Sequence, residues 1–246
     1  MQLFNDDCLN VLPTLKDKSI DLVLTDTPYG TTQCKWDSVI PFDLIWKELK
    51  KIIKDNSCIA LFGTEPFSSH LRLSNLDWFK YDWIWQKDKA TNHLNCKKQP
   101  MRRNEIISIF YQKQCTYNPQ ITDKNPNNIR PAKVKRTQAD VYGKMTKISK
   151  REIPINKSYP HETLKYESCF GGGKKSYHST QKPVALLEYL IKTYTNENDI
   201  VLDFTMGSGS TGVACKNLNR NFIGIEKDQK YFDIAKERLN NGYTTN

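Results

Sequence analysis

No apolar run in this chain approaches the roughly 20 residues that a membrane-spanning helix requires. The opening stretch, MQLFNDDCLN, has neither a basic leader region nor the apolar block that follows one in exported proteins. Both absences lead us to expect a cytoplasmic protein. Also missing is any CxxC pair or Cys/His cluster, since the seven cysteines are scattered at positions 8, 34, 58, 96, 115, 169 and 215. An odd, dispersed set argues against a disulfide framework or a structural zinc site and for reduced core or surface thiols. Internal repeats and low-complexity tracts are absent too. What is present is globular material: 246 residues, 38% hydrophobic and 11% aromatic, enough for one α/β core with an inserted segment or two small domains sharing a cleft.

Acidic residues are scarce in one region only. The chain carries a net charge of +10, yet from Gln86 to Tyr177 there are 20 Lys and Arg against 7 Asp and Glu, and elsewhere 17 against 20. All the excess positive charge therefore sits in one middle segment. That segment is polar, with prolines at 119, 126, 131, 154 and 160 and a Gly171-Gly172-Gly173 run. Tyr117, Tyr142, Tyr159, Tyr166, Phe170 and Tyr177 are interleaved with its basic side chains. A solvated linker accounts for the charge but not for the tyrosines. Cations for phosphates and rings for bases together indicate a nucleic-acid-facing segment. Its candidate contacts are Lys97, Lys98, Arg102, Arg103, Arg130, Lys133, Lys135 and Arg136.

On either side the pattern is α/β. Ile20–Thr25 is a short apolar run that stops at Asp26-Thr27-Pro28-Tyr29-Gly30, a strand followed by a turn. Helical spacing from Pro41 to Lys54 is followed by a buried-strand candidate from Cys58 to Phe62. A helix over Pro66–Leu73 and strands over Tyr81–Trp85 and Ile106–Tyr111 complete this part. After the basic segment, Val184–Tyr194 reads as a helix, Ile200–Asp203 as a buried strand, Asn221–Glu226 as another strand and Tyr231–Leu239 as a closing helix.

Between the last two strands lies Gly207-Ser208-Gly209-Ser210-Thr211-Gly212, a glycine-rich turn running into a helix through Asn217. Such a strand, turn, helix and strand ending in an acid is a nucleoside-cofactor unit. Glycines let the backbone approach the ligand, the helix N-terminus offers free N–H groups, and Glu226 can accept from ribose hydroxyls. GxGxxG is literally present, so a dinucleotide remains open on this motif, as does an ordinary βα turn.

Asp26-Thr27-Pro28-Tyr29, His178-Ser179-Thr180-Gln181-Lys182-Pro183 and Asp203 through Thr211, in that order, resemble the catalytic, cofactor-binding and glycine-rich motifs of the amino-group DNA methyltransferases. With the catalytic motif first, the order resembles the permuted beta subgroup of this bacterial and phage family. The resemblance implies a Rossmann-like methyltransferase fold, S-adenosylmethionine as cofactor, double-stranded DNA as partner and no metal, with a monomer or homodimer both compatible. Residues 1–86 would form the catalytic half, 87–177 a basic target-recognition insert with a core strand near 105–112, and 178–246 the cofactor-binding half. Asp203, Thr205, Ser208 and Thr211 would belong to the cofactor site, Gly207 and Gly209 would line the methionine part, and Glu226 would bind the ribose. Asp7, with Cys8 beside it, matches the acid that meets the adenine amine of the cofactor. His178, Thr180 and Lys182 would close over the cofactor's amino-acid end. Three positions depart from the family pattern: Thr27 and Ser179 replace prolines, and Thr205 replaces a phenylalanine.

The implied reaction moves a methyl group from a sulfonium to an aromatic exocyclic amine, whose lone pair is delocalised into the ring. Acceptors on the amine N–H groups help the nitrogen pyramidalise and offset its developing positive charge. Asp26 would supply one acceptor and the Thr27 carbonyl the other. Pro28 still restricts the residue before it to extended backbone. Tyr29 would stack on a base flipped out of the duplex. An acid at position 26 favours adenine, because cytosine-N4 relatives usually have Ser there, and Trp36, Phe62 or Trp85 could shape the base pocket. An oxidoreductase leaves the first two motifs and the basic segment without a purpose. A noncatalytic DNA-binding relative is the stronger rival, motivated by the three departures.

Overall fold

The computed structural model describes residues 1–30, 38–129, 153–169, 177 and 181–240. It contains two compact units, one made of Met1–Asn118 and Glu162–Asn246, the other of Pro119–His161. The first unit begins with β1 (Gln2–Phe4), α1 (Cys8–Val11), β2 (Ile20–Thr25), α2 (Phe42–Ile52), β3 (Ile53–Gly63), α3 (Phe67–Ser74), β4 (Phe79–Thr91) and β5 (Arg102–Phe110). The second unit has the short antiparallel pair β6 (Thr122–Asp123) and β7 (Lys157–Ser158). The chain then returns to the first unit with β8 (Thr163–Lys165), α4 (Val184–Tyr194), β9 (Ile200–Asp203), α5 (Ser210–Asn217), β10 (Asn221–Ile225) and α6 (Gln229–Asn240).

Among the described residues, eight strands form one sheet in the order β1-β10-β9-β2-β3-β5-β4-β8. The first five run parallel, and β5 is antiparallel to both of its neighbours. Alternate residues of the central strands feed two cores. Leu22, Leu24, Cys58, Ala60, Phe62, Val201 and Phe222 face the layer holding Leu187, Val213 and Ala235 from α4, α5 and α6. Val23, Ile59, Leu61, Leu202 and Ile223 face Val11, Ile45 and Phe67 from α1, α2 and α3. A strand buried on both faces has no polar side to show, which is why these segments read as unbroken apolar runs.

From β9 the chain crosses to β10 on one side, and from β2 it crosses to β3 on the other, while β9 and β2 pair directly. Such a reversal opens a crevice at the carboxyl ends of the two strands, where open α/β sheets bind ligands. Within 87–177, β5 and β8 are sheet strands paired to β4 and belong to the first unit. No helix among the described residues is long and apolar enough to cross a membrane.

Candidate active site

Asp26 and Asp203 stand at the carboxyl ends of adjacent parallel strands, and both line one cavity of about 680 Å³. The turn Asp26–Tyr29, the early residues Asp6–Leu9, the turn Phe204–Ser208, and Glu226 with the three residues after it share its wall. The switch point thus brings together motifs that lie at opposite ends of the sequence.

Asp203 is fully enclosed. Thr25 Oγ1 donates to its Oδ1 at 2.6 Å, Thr211 Oγ1 to its Oδ2 at 2.6 Å, and the Thr205 N–H to Oδ1 at 3.2 Å. Burial pushes its carboxyl up to about 6, against the pull of those donors. Thr205, one of the departures from the family pattern, extends the chain of hydroxyls. Its Oγ1 lies 2.7 Å from Thr25 Oγ1 and donates to the Asp26 carbonyl at 3.1 Å. A phenylalanine could not make this link between the glycine-turn strand and the Asp26 turn.

The glycine turn has a division of labour. Gly207 and Gly209 adopt φ of 50° and 77°, a region costly for other residues. Gly207 faces the cavity, and its N–H donates to Glu226 Oε2 at 2.8 Å. At Gly209 a Cβ would lie 2.9 Å from Ala235 Cβ, so the close packing of α6 also requires a glycine there. Arg238 of α6, buried and stacked 4.6 Å from the Tyr177 ring centre, donates to the Ser208 carbonyl and, at 2.9 Å, to Ser208 Oγ. Sequence reading missed this anchor because a single arginine on a terminal helix reads as solvated.

Glu226 accepts from Gly207 N–H through one oxygen and from Asp228 N–H, at 2.8 Å, through the other. Each carboxylate oxygen has a further lone pair to offer a hydroxyl. Asp7 caps α1 through Leu9 N–H at 3.0 Å and pairs with Lys227 at 2.9 Å; these donors hold its carboxyl below the usual range. Burial pushes the neighbouring Cys8 thiol up to about 12, which keeps it unreactive.

Asp26 receives the Tyr29 hydroxyl on Oδ1 and the Lys182 ammonium on Oδ2. The Tyr29 ring packs on Phe67 at 4.9 Å between centres. Lys182 also lies 3.3 Å from Glu105 Oε2, and Lys87 pairs with the other Glu105 oxygen. The Lys182 ammonium therefore meets Asp26 on the wall of the cavity that both residues line. Burial pushes the Asp26 carboxyl above the usual range, with Lys182 pulling down and Glu105 pushing further up. Burial opposes the charge on Lys182, but Asp26 and Glu105 outweigh it and hold the ammonium above its usual value. Glu105 and Lys87 were not legible as site residues, because Glu105 reads only as the polar start of a strand. Thr27 and Pro28 line the cavity, and Phe62 lies on its floor, whereas Trp85 is in the core and does not line it.

His178, Ser179 and Thr180, like Trp36, Arg130, Lys133, Lys135 and Arg136, lie outside the described residues. Lys97, Lys98, Arg102 and Arg103 are all exposed, at the β4–β5 connection.

The wall fits a cationic nucleoside cofactor. Among the described residues, six carboxylates line the cavity (Asp6, Asp7, Asp26, Asp203, Glu226 and Asp228) against two lysines, Lys182 and Lys227, which suits a sulfonium and an ammonium.

A family model described as DNA methylase matches residues 20–237. The type II methyltransferase M.HinfI of Haemophilus influenzae is 30% identical over 96% of this chain and 67% of its own length. M1.MboII of Moraxella bovis is 30% identical over 95% of this chain and 94% of its own. Among solved structures, the M1.HpyAVI–SAM complex superposes with a TM-score of 0.65 at 27% identity, covering 97% of this chain and 98% of that one. The cytosine-N4-specific PvuII DNA methyltransferase, at 15% identity and a TM-score of 0.69 over 98% of this chain and 87% of its own, shares the fold. With these matches, the chain belongs to the N6/N4 family of S-adenosylmethionine-dependent DNA methylases.

Proposed function

We propose that this protein methylates the N6 amine of an adenine flipped out of double-stranded DNA at a specific sequence. The observation that carries the reading is Asp26: an acid, mostly buried, at the carboxyl end of β2 on the wall of the cavity shared with the glycine turn and Glu226. An amine presents N–H donors, so the group that meets it has to accept. An ionised carboxylate has about four lone-pair sites, and two remain after Tyr29 and Lys182 have donated.

When bound, the cofactor supplies a methyl group on a positively charged sulfur. Glu226, Asp7 and the Gly207 turn would hold its nucleoside and methionine parts, with Asp203 bracing the turn from below. Asp26 orients the amine and offsets the positive charge that grows on it, and the restricted backbone ahead of Pro28 aims the Thr27 carbonyl as a second acceptor. Extraction of the base costs a few kcal/mol, offset by stacking and hydrogen bonds in the pocket, with Tyr29, bonded to Asp26, as the aromatic for stacking. The basic segment supplies phosphate contacts and base readout, the Pro119–His161 unit included.

The test is incubation with labelled S-adenosylmethionine and mixed-sequence duplex DNA, then nucleoside digestion and mass spectrometry. N6-methyladenine is the expected product. N4-methylcytosine keeps the mechanism and overturns the base, and no methylated nucleoside overturns the reading. In the same assay Asp26→Ala is expected to lower turnover by about 10²–10³-fold, the loss usual for one transition-state acceptor or donor, with cofactor binding retained.

A further inference from the structure

Four charges alternate through the floor of the site. Asp26 comes from the turn after β2, Lys182 from the segment ahead of α4, Glu105 from β5 and Lys87 from β4. Their side chains are 19%, 8%, 12% and 14% exposed. Each carboxylate meets a lysine, and Lys182 bridges both. The Lys182 ammonium also lies over the Phe62 ring, 5.1 Å from its centre.

Stability does not account for this arrangement. Taking an ion out of water costs several kcal/mol, and a buried pair repays that cost poorly compared with apolar side chains of similar size. Chemistry does account for it. Asp26 has to be ionised to accept from an amine, and its surroundings work against ionisation: it is shielded from water, with Glu105 and Asp203 nearby as like charges. Tyr29 donates a hydrogen bond but carries no charge. Among the described residues, the cation in contact with Asp26 is Lys182, steadied from its far side by Glu105, whose own charge is balanced by Lys87.

We propose that Lys182, held in place by Glu105, is a positioning residue that keeps Asp26 a hydrogen-bond acceptor. Without it Asp26 takes up a proton and confronts the amine donor to donor. The inference rests on the reading of Asp26 as the group that meets the amine.

The test follows the Asp26 carboxyl directly. In protein labelled with ¹³C-carboxyl aspartate, the resonance assigned by Asp26→Asn is titrated in the wild type, Lys182→Met and Lys182→Arg. The midpoint is expected to rise by more than about one pH unit in Lys182→Met, a tenfold weaker acid, and to stay near the wild type in Lys182→Arg, which retains the charge. Turnover at pH 7 is expected to fall in Lys182→Met by about tenfold for each unit by which the Asp26 midpoint passes pH 7, to recover as pH rises, and to be restored in part by Lys182→Arg. Affinity for S-adenosylmethionine should stay within about threefold, as the charge it neutralises belongs to the protein. Unchanged titration of Asp26 in Lys182→Met overturns the proposal, and if cofactor affinity collapses with it, Lys182 serves the cofactor instead. Should Lys182→Met fail to fold, Lys182→Gln, polar and uncharged, is read in the same way. A wild type that methylates no DNA would sink the functional reading while leaving the titration to decide the charge pairing.

Discussion

At the residue scale, Asp203 is enclosed and held from both of its oxygens. Three donors hold its two oxygens, yet burial raises its carboxyl to about 6. The unfolded chain releases this proton near the ordinary aspartate value of 3.8, whereas the native protein keeps it until about 6. Between those values the native state binds more protons, so the contribution of Asp203 to stability falls as pH rises. Asp203→Asn cannot titrate. The unfolding free energy of the wild type relative to Asp203→Asn should therefore decline from about pH 4 to about pH 6 and level off above. Chemical denaturation across that range measures it, and a difference that is flat or rises with pH contradicts the assignment. Thr205 belongs to the same scale: as a letter it is a departure from a pattern, and only the position of its hydroxyl between Thr25 and the Asp26 carbonyl explains it.

At the element scale, the glycine turn and α5 show two opposed preferences in one residue. Gly212 sits within α5, where alanine is favoured by about 1 kcal/mol on helix propensity. A Cβ there would lie 2.8 Å from Phe222 Cε1 and 2.9 Å from Leu239 Cδ2, both in the core. Overpacking costs about 1–3 kcal/mol and outweighs the propensity gain. Gly212→Ala should accordingly destabilise the protein by up to about 2 kcal/mol, read as a lower denaturant midpoint; a raised midpoint would show that the Phe222 ring yields freely. Elements were legible where burial on both faces leaves an apolar run, as in β2, β9 and β10. Boundaries were not. The helical spacing from Pro41 to Lys54 conceals the break at Ile53, where Ile20 of β2 pairs with the chain and β3 begins without a glycine or proline. β5 starts at Arg102, four residues before its apolar part, because Glu105 and Asn104 pair with Trp85 and Gln86 across the sheet.

At the scale of the whole molecule, charge is the organising variable. The cofactor cavity is rich in carboxylates, and the excess of lysine and arginine is confined to the segment from Gln86 to Tyr177. Lys97, Lys98, Arg102 and Arg103 are exposed where β4 hands over to β5, the strand that carries Glu105 toward the site. Replacing these four by alanine should weaken DNA binding and lower the slope of log affinity against log salt by about 0.9 for each side chain that meets a phosphate. Binding isotherms at several salt concentrations measure this, and an unchanged slope places the DNA surface elsewhere.

Sequence alone determined the family, the order of the motifs and the buried strands, and it pointed to Asp26, Glu226 and the glycine turn. These depend on local patterns: apolar runs, turn residues and glycines at short spacing. Tertiary structure alone decided that Gly209 packs under Ala235, that Arg238 anchors Ser208, and that Lys182 faces Asp26 in company with Glu105 and Lys87. Those relations join residues from 18 to 156 positions apart in sequence, brought together by the order in which the strands pair and by the packing of α6. Where two distant charges meet in a buried site is set by the sheet order, and no spacing along a single strand or helix encodes it.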